Sequence, residues 1–152
     1  GRAQPNHVCM SMPPDAMICF ALYSAAHAMQ QAYRPLLDPL GLTYPQYLVL
    51  SALWSGQEPP TVGAIGRQLQ LESSTLTPLL KRLEAIGLIR RTRDTADERQ
   101  VRVHLTDDGR AMQARAAHVP DCILERTGMT PQALLALRDQ VTALRDRLRA
   151  TA

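Results

Sequence analysis

One phenylalanine, one tryptophan and one lysine are all that 152 residues hold of those types. Apolar residues still make up 45% of the chain, which excludes a disordered or fibrous protein, and the length suits one domain. The shortage of lysine is offset by sixteen arginines, so nearly every cation is a planar fork suited to phosphate and guanine edges. No run approaches eighteen apolar residues, so no transmembrane helix and no membrane partner is expected. Nor does a basic segment lead into an apolar signal core. Cys9, Cys19 and Cys122 are too few and too scattered for a disulfide scaffold or a CxxC zinc site. His7, His27, His104 and His118 form no HExxH motif. No metal or cofactor is expected, and the expected compartment is the cytoplasm, where unpaired thiols stay reduced. Because the chain opens on Gly1, Met10 and Met12 are the candidate native starts.

What is present is unevenly placed. Seventeen basic and fourteen acidic residues give a net charge of +3 and a pI near 9.0. Residues 67–102 carry eight basic and five acidic side chains, the whole of that excess, and the remainder carries nine of each. A localised basic stretch matters more for a nucleic-acid partner than a modest total.

Hydrophobic spacing and capping residues divide the chain. Residues 1–14 read as a loose arm with three of the eleven prolines. From Asp15, a candidate N-cap, a helix is expected to about Leu37, with Ile18, Leu22, Ala25, Met29 and Leu36 on one face. Residues 35–45 read as a bend. Tyr44–Trp54 is a second apolar helix with Pro45 in its first turn. Thr61 caps a short helix to about Leu69. After a tight turn, Ser73 or Ser74 caps another through Ala85, with Leu76, Leu79, Leu80 and Leu83 as its buried stripe and Gly87 as its stop. Leu88–Thr92 and Gln100–Leu105 alternate as two strands around a polar tip, Arg93–Arg99. Thr106 opens a further helix with Asp107 and Asp108 at its positive end. Thr130–Ala150 places Leu134, Leu137, Val141, Leu144 and Leu148 in a narrow 3-4 seam, the signature of a helix–helix contact.

Two short helices joined by a tight turn and followed by a hairpin make a winged helix-turn-helix. The expected fold is mainly α with one small β-hairpin. Ser73, Ser74, Thr75, Thr77, Lys81 and Arg82 on the second helix can reach base edges and phosphates in a major groove. The hairpin tip carries Arg91, Arg93 and Arg99, and Arg99 is suited to a minor groove. The bland alternative is a solvated helix and hairpin.

The segment Arg90–Arg99, together with Leu105-Thr106-Asp107-Asp108-Gly109, resembles the wing of the MarR family and the helix start after it. The likeness runs from about Asp15 to Arg149. In that family an acid matching Asp97 braces the wing and an arginine matching Arg99 enters the minor groove. The resemblance implies an obligate homodimer on a pseudo-palindromic operator in double-stranded DNA. Residues 15–152 would then form one domain, with 15–54 and 107–150 mainly dimerisation helices and 55–106 the DNA-binding lobe. The heptad seam of the last helix agrees independently.

A narrower likeness runs through Cys19-Phe20-Ala21-Leu22-Tyr23, Tyr33-Arg34-Pro35 and Thr43-Tyr44-Pro45-Gln46-Tyr47, and through Leu71–Arg82. It resembles the organic-hydroperoxide-sensing branch of the family. The likeness implies that the peroxide oxidises the thiol matching Cys19, while tyrosines matching Tyr33 and Tyr44 hydrogen-bond to it. The chemistry fits: a thiolate is what attacks a peroxide oxygen, and tyrosine hydroxyls can donate to it while their rings form an apolar pocket. Phe20 and Tyr23 flank Cys19, and Tyr23 shares its helix face. Tyr33 would lie about 21 Å along a straight helix from Cys19, so it could serve Cys19 only from a partner subunit or around a bend. Cys122, after Pro120, resembles the resolving cysteine of the two-cysteine subtype, which forms an intersubunit disulfide. The ordinary alternatives are a small core cysteine at 19 and an inert interface cysteine at 122. Cys9 reads as an incidental thiol on the arm, able in principle to resolve Cys19.

The leading expectation is a homodimeric repressor released from DNA by organic hydroperoxide. A MarR-type repressor released by a small phenolic ligand is the alternative, with Cys19 not a sensor. A thiol peroxidase would need recycling chemistry for which the sequence has neither a CxxC nor a peroxidase-like constellation, so no enzymatic activity is expected.

Overall fold

The computed structural model describes residues 11–150. Seven helices and one hairpin follow in order: α1 (Ile18–Leu37), α2 (Tyr44–Ser55), α3 (Val62–Leu69), α4 (Ser73–Ala85), β1 (Ile89–Arg93), β2 (Val101–Leu105), α5 (Asp107–Arg115), α6 (Val119–Thr127) and α7 (Pro131–Ala150). Short 3-10 turns occupy Pro14–Ala16 and Asp38–Leu40. The chain divides into two compact units, Gly1–Gln31 and Ala32–Ala152. Among the described residues no helix is long and apolar enough to cross a membrane.

Local chemistry sets the helix starts. Thr43 accepts from the Gln46 N–H while the Gln46 side chain accepts from the Thr43 N–H, a complete capping box for α2. Thr61 and Thr106 each accept from the N–H three residues on, as the sequence leads one to expect. Two expected caps are not realised. Asp15 falls in the 3-10 turn set by Pro13 and Pro14, and α1 begins only at Ile18. The α4 N-cap is Glu72 with no side-chain hydrogen bond, so Ser73 and Ser74 are already helical and their hydroxyls stay outside. The expected bend starts later than Pro35: α1 continues through it to Leu37, and the chain turns at Gly41, in the left-handed region at φ 70°.

Unit two is built around α2, α3, α4 and the hairpin. Val49, Leu50, Ile65, Leu83, Val103 and Val119 have no exposed surface, and the α4 stripe Leu76, Leu79, Leu80 and Leu83 is buried throughout. Each such side chain contributes about 1.5–3 kcal/mol by burial. β1 and β2 pair antiparallel with Ile89 opposite Leu105 and Arg93 opposite Val101. A bridge from Thr61 to Arg102, with the Val103 N–H donating to Pro60 O at 2.9 Å, ties the hairpin to the start of α3. α5 packs close to the hairpin base because Gly109 has no side chain: a Cβ there would stand 2.0 Å from Leu88 O. The Trp54 indole N–H donates to Gly109 O at 2.9 Å and closes the same junction.

Between the helix opened by Thr106 and the last one, the chain forms an element that the periodicity did not suggest. α6 begins with Pro120 in its first turn and ends at Gly128, φ 67°. The α7 seam is only partly covered: Leu137 and Val141 are exposed, Leu134 and Leu144 are half-buried, and no residue of α7 is buried. In unit one, the expected inner face of α1 is likewise open, with Ile18 and Met29 exposed.

Candidate functional site

α4 separates its two faces cleanly. Leucines at four positions point into the core, which leaves Ser73, Ser74, Thr75, Lys81 and Arg82 exposed on the outer side, with Thr77 half-buried at its edge. A helix so arranged presents short hydroxyls toward its N-terminal end and cations in its later turns, a combination able to meet base edges and phosphates.

The wing is held by acids that accept from arginines. Glu84, near the end of α4, accepts from the Arg91 backbone N–H at 2.8 Å and from the Arg91 guanidinium at 3.1 Å. Those two contacts, the backbone N–H foremost, hold its carboxyl below the usual carboxylate range. Arg91 therefore fastens the hairpin to α4 rather than extending from the tip. Arg93 donates to Glu98 O at 2.9 Å across the tip. Asp97 accepts from the Arg99 N–H at 3.1 Å and from its Nε at 3.3 Å, while the Arg99 side chain stays 92% exposed. Asp94, to which the sequence reading gave no role, accepts from Arg102 at 3.4 Å, and Arg102 also donates to Pro59 O at 2.7 Å. The Arg102 guanidinium and the Ala96 N–H hold the Asp94 carboxyl below its ordinary range. Alternation along β2 and the turn chemistry of Asp94 were the available signals, but neither names a partner.

The thiol candidates lie in different elements. Cys19 is exposed in α1, beside exposed Phe20 and Tyr23, the latter 73% open to solvent. Cys122 is half-buried in α6. Cys9 lies outside the described residues. Within unit two, Tyr33 packs tilted against Tyr44 with ring centroids 4.9 Å apart and meets Tyr47 at 5.8 Å. Tyr47 in turn meets Trp54 edge-on at 6.2 Å. Burial, reinforced by its tyrosine neighbours, pushes the Tyr33 hydroxyl up to about 12, and Tyr44 is raised by the same causes. Both phenols therefore remain protonated hydrogen-bond donors at neutral pH. Tyr47 and Trp54 were not among the predicted pocket residues, although Tyr47 stands one helical turn after Tyr44. Beside them is an apolar hollow of about 320 Å3 lined by Tyr47, Ser51, Trp54, Ala116, Ala117 and Pro120.

These features can be set beside known proteins. The family profile "Transcriptional regulator SarA/Rot" matches residues 31–115. The chain is 51% identical to the HTH-type transcriptional regulator TtmR of Methylorubrum extorquens over 91% of its own length and 70% of that protein. It is 42% identical to the organic hydroperoxide resistance transcriptional regulator of Bacillus subtilis over 90% of its length and 92% of that protein. Among solved structures, reduced AbfR bound to DNA matches with 35% identity and a TM-score of 0.73, covering 86% of this chain and 91% of that one; AbfR is a protein of Staphylococcus epidermidis. The α3–α4 turn, the hairpin wing and these likenesses agree: the chain belongs to the SarA/Rot and MarR type of winged-helix transcriptional regulators.

Proposed function

We propose that this regulator is a homodimeric DNA-binding repressor that organic hydroperoxide releases from its operator by oxidising Cys19. The observation that carries the reading is an unpaired, solvent-exposed thiol flanked by exposed apolar Ile18, Phe20 and Tyr23. Such a site is open to a hydroperoxide and offers its organic group an apolar surface. The 42% identity to a regulator of organic hydroperoxide resistance supports the choice of oxidant. The Cys19 thiolate attacks the distal peroxide oxygen. The O–O bond breaks, the alkoxide leaves as alcohol after protonation, and the sulfur becomes a sulfenic acid. The Cys122 thiol of the second subunit then attacks that sulfur, forming a disulfide and releasing water. Half-sites for such a dimer lie about one DNA turn apart, ~34–36 Å, so a shift at the dimer helices breaks register.

The open apolar faces of α1 and α7 support their role as dimer elements, and the exposed face of α4 with the arginine-bearing wing supports contact with DNA. Ser73, Ser74, Thr75, Thr77, Lys81 and Arg82 are assigned to the base edges and bordering phosphates of the major groove. Arg93 and Arg99 are assigned to the wing contact, with Asp97 bracing Arg99 and Arg91 setting the wing's angle on α4. Because α1 runs unbroken from Ile18 to Leu37, the partner subunit's Tyr33 and Tyr44 are assigned to the sensor pocket as donors to the oxidised or ionised sulfur. A reducing cytoplasm and stoichiometric, non-catalytic use of peroxide belong to the same reading.

Cys19→Ser should retain operator binding and ignore cumene hydroperoxide, while Cys122→Ser should lose the peroxide-induced covalent dimer on non-reducing gels. Release of the Cys19→Ser protein from DNA by peroxide would overturn the sensor assignment. The hollow beside Tyr47 and Trp54 favours the second reading, a phenolic effector. Release of the fully reduced protein from DNA by salicylate-like compounds would select it.

A further inference from the structure

Neighbouring grooves of a duplex are separated by a sugar–phosphate strand. A protein that sets a helix in the major groove and a wing in the adjacent minor groove must let that strand pass between the two. Here a cleft of about 420 Å3 lies between α3, α4 and the hairpin. Arg67, Thr77, Arg91 and Arg99 are among its lining residues, and no acidic side chain is.

The three arginines are not equivalent. Arg91 is held by Glu84, and Arg99 gives its Nε to Asp97. Arg67 is exposed, and among the described residues its guanidinium has no hydrogen-bond or ion-pair partner. Its position is nevertheless defined, because it folds back along α3 across Gly63. A Cβ at Gly63 would stand 3.4 Å from Arg67 Nη1. Gly63 lies in the exposed first turn of α3, and the guanidinium rests at contact distance over its backbone. An arginine without a partner among the described residues and a threonine hydroxyl thus line one cleft that no acidic side chain lines, a combination suited to an anion.

We propose that Arg67 and Thr77 grip a backbone phosphate of the DNA strand that runs between the two grooves. Arg67 supplies the charge and Thr77 a hydroxyl donor. The inference rests on the DNA-binding reading above and extends it to α3, a helix that the sequence analysis gave no contact. Such a contact fixes register and carries no base information.

The test is a salt series of anisotropy titrations with the reduced full-length protein on two duplexes, one of random sequence and one selected in vitro for wild-type binding. Arg67→Ala should weaken both duplexes by the same factor and lower the slope of log affinity against log salt by about 0.9, the loss of one phosphate contact. Arg67→Lys should keep the slope. Gly63→Glu sets a carboxylate four residues before Arg67, where the two pair on the helix surface. It should leave thermal melting intact and weaken DNA binding at least as much as Arg67→Ala. An unchanged slope in Arg67→Ala, a loss confined to the selected duplex, or wild-type binding by Gly63→Glu would each overturn the inference while leaving DNA binding itself standing. Failure of the wild type on both duplexes would overturn the DNA-binding reading and this one with it. Inorganic phosphate at matched ionic strength should compete no better than chloride. Stronger, Arg67-dependent competition would assign the cleft to a free small anion instead.

Discussion

Helices α4 and α7 carry leucines at the same three- and four-residue spacing and end in opposite environments. In α4, Leu76, Leu79, Leu80 and Leu83 are all buried. In α7, which is longer, no residue is buried, and Leu137 and Val141 stand open. The pattern within each helix does not account for the difference; what lies opposite does. α4 faces α2, α3 and β1 from within its own chain. In the proposed homodimer, the matching seam of a second copy of this chain covers the narrow seam along α7. An apolar stripe therefore marks a face that can be covered and says neither whether its own chain covers it nor what else would.

Three variants would break or sharpen that contrast. The largest effect is expected in α4: Leu83→Ala should lower the unfolding free energy by about 2–5 kcal/mol in denaturant titrations, through lost burial and the cavity left behind. A loss under about 1 kcal/mol would mean that the α4 stripe is not the core of this lobe. The paired change Leu137→Asp and Val141→Asp in α7 should leave the hairpin and helix-turn-helix folded. It should give a monomer by sedimentation and remove the concentration dependence of Tm. A dimer that persists would refute the contrast. The smallest effect belongs to the ion pair that joins α4 to the wing. Glu84→Gln should cost at most about 1 kcal/mol near neutral pH, because the pair is partly solvent-exposed. Its folded carboxyl lies below the ordinary 4.5. The stabilisation is therefore present above that pH and is lost as the pH falls below it. The difference between wild type and variant should shrink in acid and stay flat above about pH 6.

Much of the fold was legible because its determinants are local. Thr61 and Thr106 cap the helices that their spacing to the next apolar residues suggests. The hairpin follows from two alternating runs around a polar tip, and the α4 stripe from its period. α6 escaped because Val119–Thr127 is short, and its two buried residues, Val119 and Ile123, are too few to mark a period. Asp15, Ser73 and Ser74 are good cap types that were not used, since neighbouring prolines and the α3–α4 turn set where each helix begins. In the candidate site, the chemical identities were readable and their pairings were not. Arg67, Arg91, Arg99 and Arg102 look alike in the sequence. One reaches no partner among the described residues, one fastens the wing to α4, one leans on Asp97, and one ties β2 to Asp94 and Pro59.

The sequence by itself determined the order of the elements other than α6, the Thr61 and Thr106 caps, and the concentration of the whole net charge of +3 in residues 67–102. Periodicity, prolines, glycines and side-chain charges act over a few residues and need no tertiary context. Only the tertiary structure decided which apolar stripes are covered, which arginines are already paired, and which tyrosines pack together. Those outcomes depend on groups far apart in the chain, such as the Arg102–Pro59 contact across 43 residues and the Trp54–Gly109 contact across 55. An exposed cation gains little from a solvated partner, so its role is fixed by the cleft it lines rather than by its place in a motif.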